Sequence, residues 1–149
     1  MRSRLLMLSL VEMLRENLAK VDPEVRVFLH DLPADDGESR TYPFIVCRWV
    51  SGDMEEESNG DFGCTETVSL FCGVYAPENQ HEAYLKMAEL LDEVRLCLRH
   101  NDLLGKRFQL EYPVSATIPD PEHKAIEYQM ATIETKWQYA LPQTPLKQI

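Results

Sequence analysis

The run from Cys64 to Ala76 constrains this chain more than any other stretch. Cys64, Val68, Leu70, Cys72, Val74 and Ala76 fall on one parity, and Thr65, Thr67, Ser69, Phe71 and Tyr75 fall on the other. Side chains of an extended strand point alternately to opposite faces, so the pattern predicts a half-buried strand. Pro77 breaks the alternation, and a helical repeat follows to about His100. Tyr84, Met87, Ala88, Leu91, Val94 and Leu98 share one face of that helix, with Lys86, Glu89, Glu93 and Arg99 mostly outside it. Asn79 and Glu82 have the spacing of a capping box, and Asn101, Asp102 and Gly105 end the helix. The expected arrangement is a central strand with the helix folded back across its sheet.

The remaining segments are read the same way. Ser3 to Ala19 predicts a helix, with Ser3 as N-cap and Met7, Leu10, Val11, Leu14 and Leu18 as its inward stripe. Leu6 and Met13 widen that stripe, either as further core or as a flank offered to another subunit. Glu24 to His30 predicts a short strand. Phe44 to Ser51, opened by Tyr42-Pro43, predicts a strand apolar on both faces. Gly52 to Gly63, with Asp53, Glu55, Glu56, Glu57 and Asp61, reads as a solvated, acidic hairpin loop between two strands. Arg107 to Ile118 predicts a fourth strand, irregular at Pro113, and Ala125 to Leu141 a long last one. The expected fold class is α+β: a mixed or mostly antiparallel sheet of about five strands with two main helices on one face. Residues 1–141 form a single domain in this reading, and 142–149 a mobile tail.

Composition narrows the classes of function. A chain of 149 residues suits one domain with a core that needs no staples. Its net charge of −10 repels phosphate backbones, which argues against tight non-specific binding of nucleic acid. Cys47, Cys64, Cys72 and Cys97 form no C-x-x-C pair and sit in apolar company, so they read as buried reduced thiols of a cytoplasmic protein. The apolar run near the N-terminus stops at Glu12 without a small-residue cleavage site, and no stretch approaches the length of a membrane span.

No catalytic, cofactor or metal pattern emerges from the residues. His30, His81, His100 and His123 are scattered over strand end, helix ends and turn. The acidic loop fails as a calcium loop, because Ser58 stands where an EF-hand starting at Asp53 needs glycine. Gly60 and Gly63 flank acids rather than a phosphate-binding lysine, and the serines lack a nucleophile-elbow context.

The layout does resemble a family: the tail terminator (tail completion, minor tail protein U-like) proteins of long-tailed bacteriophages and prophages. The matching features are the N-terminal amphipathic helix, the Tyr42-Pro43-Phe44-Ile45-Val46 start of a strand, and the long strand Thr65–Tyr75. They continue with the helix Glu82–Leu98, the short segment His100–Leu104 and the terminal strand Tyr128–Tyr139, so the likeness runs from about Leu5 to Leu141. The acidic stretch Gly52–Gly63 and the tail Pro142–Ile149 have no counterpart in it. The resemblance implies a non-enzymatic structural subunit of a homo-oligomeric, typically hexameric ring. Such a ring caps the tail tube, meets the tail-tube protein and a head-completion or connector protein, and lets DNA pass without specific binding. It also implies assembly in the host bacterial cytoplasm and a final place in the virion tail.

Within that reading the candidate subunit contacts are Leu6, Met13, Phe71, Tyr75, Trp137 and Tyr139. Phe71 and Tyr75 stand out because they interrupt a Thr/Ser face that the helices should leave uncovered. The alternative class is a small cytoplasmic α+β enzyme or ligand-binding domain, which needs a pocket where groups such as His81 and Cys72 converge. A third is an adaptor that binds one partner through its acidic loops.

Overall fold

The computed structural model describes residues 2–31, 42–58, 60–77, 80–118 and 128–141. In chain order the elements are α1 (Arg2–Leu18), β1 (Arg26–Leu29), β2 (Phe44–Glu56), β3 (Phe62–Tyr75) and α2 (Gln80–His100). They continue with β4 (Leu103–Leu104), β5 (Phe108–Leu110), β6 (Ser115–Thr117) and β7 (Tyr128–Leu141). The strands form one sheet in the order β1-β2-β3-β7-β5-β4, with β6 also paired to β7. All neighbours are antiparallel except β1 and β2, which run parallel.

The five-strand expectation is corrected: the sheet has seven strands among the described residues and curls into a half-barrel. Two physical reasons account for the difference. The expected single strand Arg107–Ile118 is broken at Tyr112-Pro113 into β5 and β6, which dock on β7 at separate places. The segment expected to end α2 instead supplies β4, and Gly105 (φ 60°) and Lys106 (φ 59°) turn it back onto β5. α2 itself stops at His100, where Asn101 returns its backbone N–H and side-chain amide to the Cys97 carbonyl.

β3 is the middle of the sheet, paired along its whole length with β7 on one side and from Phe62 to Gly73 with β2 on the other. Its even positions lie under both helices. Leu6, Leu10 and Leu14 of α1 and Met87, Leu91 and Val94 of α2 pack there against Val68, Leu70, Cys72, Ile45, Ile133 and Trp137. α2 keeps most of the expected stripe: Met87, Leu91, Val94 and Leu98 are buried with Ala83, Leu90 and Cys97 beside them, whereas Tyr84 and Ala88 face solvent. α1 is tied to the sheet edge by Arg15, whose Nε and Nη2 donate to the Val27 carbonyl at 3.0 and 2.8 Å.

The hairpin loop expected over Gly52–Gly63 is shorter than that: β2 and β3 stay paired out to Glu56 and Phe62, so Asp53, Glu55 and Glu56 ride on a hairpin arm and Glu57 and Asp61 lie at its turn. Every residue of β2 from Arg48 to Glu56 is exposed. A register shift between Trp49 and Ser51 leaves Val50 as the extra residue of a bulge, after which Gly52 and Met54 share the helix-side face. The spans 32–41, 119–127 and 142–149, including His123, the start of the expected last strand and the expected tail, lie outside the described residues, as does Asn79.

Gly73 has a packing reason. A Cβ there would run into the fully buried Phe44 ring and come within 3.1 Å of Met130 Sδ. Gly73→Ala is therefore expected to lower unfolding free energy by about 1–3 kcal/mol. Urea denaturation followed by fluorescence reads this directly; an unchanged midpoint would mean that Phe44 can move aside.

Candidate functional site

Glu66 is the least expected residue in the sheet. It lies on the helix-side parity of β3, between Cys64 and Val68, and is 6% exposed. A carboxylate withdrawn from water must be hydrogen-bonded. Ser3 Oγ donates to Glu66 Oε1 at 2.8 Å and Trp49 Nε1 donates to the same oxygen. The Tyr139 hydroxyl donates to Oε2 at 2.7 Å. Three elements thus converge on one side chain: the first turn of α1, the base of the arm and the end of β7. Burial, then the bond to Glu66 and its negative charge, holds the Tyr139 phenol well above the usual tyrosine value.

This node corrects the expectation for Ser3. It sits inside α1 and serves Glu66 rather than capping its own helix. Alongside the node, Thr135 is fully buried and satisfied, donating to the Val68 carbonyl and accepting from Trp137 Nε1, each at 2.8 Å.

The candidate contact residues fall into two groups. Leu6, Met13 and Trp137 are core, with exposures of 0%, 7% and 0%, so they present no surface to a neighbour. Phe71, Tyr75 and Tyr139 are half-buried. Tyr139 is held by Glu66 and meets Phe108 edge-on. Phe71 and Tyr75 belong to an aromatic platform within their own chain: Tyr75 packs on Tyr128 at 4.7 Å, Tyr42 bridges both tyrosines, and Phe44 joins Tyr42 to Phe71. Their partial cover comes from these rings, so a neighbouring subunit is not needed to explain them.

The groups expected to converge in an enzyme stand apart. Cys72 and Cys47 are fully buried, and desolvation pushes each thiol up to about 12. His81 and His100 are exposed near opposite ends of α2. His30 ends β1 with φ 75°, its carbonyl accepting from Arg48 Nε at 3.0 Å. On the hairpin arm Asp53 and Glu55 point to one face and Glu56 to the other, the divergence that strand alternation imposes and a calcium loop cannot use.

A cleft of about 600 Å³ opens between the end of α1, α2 and the aromatic platform. Asp22, Glu24, Glu89, Asp92 and Glu93 line it with Lys86, Tyr42 and Tyr75. No helix among the described residues is long and apolar enough to cross a membrane. No protein-family model matches the chain, and no curated protein matches it in sequence.

Sequence reading passed over Glu66, although the signal was present: one charged residue on the apolar parity of an alternating run. Trp49, 46% exposed yet bonded to Glu66, carried no comparable signal. Glu66→Leu is expected to lower unfolding free energy by about 2–3 kcal/mol by orphaning three donors, and Ser3→Ala by about 1 kcal/mol. Equal, negligible effects in thermal melts would remove Glu66 as the organising contact.

The thiols make a second prediction. Their folded pKa values lie above the unfolded value of about 8.5, so the unfolded chain gives up these protons first. Their contribution to stability is complete below about pH 8.5 and is lost as pH climbs toward 12. Stability measured by urea titration should fall over that window, less steeply in Cys47→Ala/Cys72→Ala. In the native protein neither thiol should react with Ellman's reagent at pH 8 until urea is added.

Proposed function

We propose that this chain is a non-enzymatic structural subunit of a phage or prophage tail, a ring-forming terminator or neck protein that caps the tail tube and joins it to the head. The observation that carries the reading is the division of the sheet. Both helices sit on one face, while the opposite face of β3 and β7 presents Thr65, Thr67, Ser69, Thr132, Lys136 and Gln138 without helix cover. A hydrophilic surface of that kind, on a chain of net charge −10, offers an outgoing duplex little to hold. The likeness of layout to tail terminators supplies the class, and the −10 net charge agrees with it.

Subunit contacts in this reading move away from the buried Leu6, Met13 and Trp137. The outer flank of α2 leaves Tyr84, Leu85 and Leu96 uncovered, which suits an apolar seam between copies. Multi-angle light scattering over a concentration series should show a closed oligomer, six copies by the family likeness, and Leu85→Glu/Leu96→Glu should reduce it to monomer. A strict monomer at several hundred micromolar, with no ring by negative-stain microscopy, would overturn the proposal.

A further inference from the structure

The edge of β2 is half used. β1 pairs with it only from Phe44 to Cys47, and the last ladder bond runs from His30 N–H to the Cys47 carbonyl at 2.8 Å. His30 follows in a left-handed conformation, its carbonyl and the Asp31 carboxylate beside Arg48. Among the described residues no strand lies beside Arg48–Glu56 on that side. These nine exposed residues present a row of backbone donors and acceptors about 30 Å long at roughly 3.3 Å per residue.

A second, independent feature lies in line with it. Where β1 stops, a groove of about 250 Å³ runs between α1 and the sheet edge. Met7 and Leu8 of α1, Leu29 of β1 and Cys47 and Trp49 of β2 line it, with Arg4 and His30 as polar members. A strand that continued the path of β1 would pass through this groove and then along the arm. Its side chains would alternate between two environments. One is apolar up to Met54: Leu8, Trp49 and Met54 on the helix side, all exposed, with Glu56 beyond them. The other carries Asp53 and Glu55 on the opposite face, with Glu57 toward the arm tip; Arg48 stands at the base, and Arg107 and Lys136 share the cleft beside these acids.

We propose that this edge and groove take an extended segment of a partner protein in which apolar residues alternate with lysine or arginine, bound by strand addition to β2. The charge pattern selects among occupants. A second copy would bring the same carboxylates to the edge, and like charges across a strand pair repel. A basic strand neutralises them. The proposal stands on the edge and groove alone and does not require the ring.

The test uses the full chain and a fluorescein-labelled ten-residue peptide of alternating valine and lysine, read by anisotropy. Micromolar binding is expected, weakened at least tenfold when glutamate replaces lysine. A similar loss is expected when the peptide's alternate amides are N-methylated, since that blocks backbone pairing without changing charge. Asp53→Lys/Glu55→Lys and, separately, Leu8→Asp should each lose binding at least tenfold. Glu12→Lys/Glu16→Lys, the same charge change on the exposed side of α1, should keep it. Three results would each overturn the proposal: no binding at 100 µM, equal binding of the N-methylated peptide, or equal loss in the α1 control variant. Self-association that disappears in Asp53→Lys/Glu55→Lys would overturn it in favour of a second copy. A monomer that binds the peptide through the arm sinks the ring and leaves the edge; a ring indifferent to the peptide does the reverse.

Discussion

Everything in this fold hangs on β3 being paired on both sides. Fourteen residues matched to β7 and twelve of them also matched to β2 leave no freedom in which side chains face the helices. A one-residue slip would carry the whole apolar set to the wrong face. Glu66 is where that rule is broken, and the break is compensated by Ser3, Trp49 and Tyr139. Because a buried carboxylate is tolerated only when its oxygens are satisfied, the bond set also fixes where α1 begins against the sheet and where the arm leaves it.

The arm follows from the same pairing. β2 and β3 remain hydrogen-bonded beyond Trp49, so β2 continues into solvent with its side chains wet on both faces while β3 stays flanked by β7. Polar and acidic side chains are what such an extension can carry without exposing a large apolar surface. Its charges also guard an open edge against pairing with copies of itself. The cleft near the aromatic platform is acidic as well, so the negative charge is spread over both ends of the molecule.

Local pattern was legible wherever one periodicity covered a whole element. The α1 stripe, the parity of β3 and the continuous apolar run at the start of β2 all appear where the residues place them. Reading failed where two signals competed. In α2, Tyr84 and Ala88 fit the helical stripe as well as Leu90 and Cys97 do, and only the position of the sheet chose between them. In the stretch Gly52–Gly63, acidic composition suggested a long hairpin loop, while strand pairing extends the hairpin out to Glu56 and Phe62.

By itself the sequence determined that a two-faced strand must be central, that two amphipathic helices must cover one face, and that the thiols belong to the core. Those are statements about periodicity and hydrophobicity, which are local. Tertiary structure decided which aromatic side chains keep any surface. Trp137 vanishes beneath the helices, and Phe71 and Tyr75 are covered in part by Tyr42, Phe44 and Tyr128 from distant parts of the chain. It also decided which groups satisfy Glu66 and that Arg48–Glu56 is an edge. Partners and edges are properties of neighbours brought together by the sheet, and no spacing within one strand encodes them.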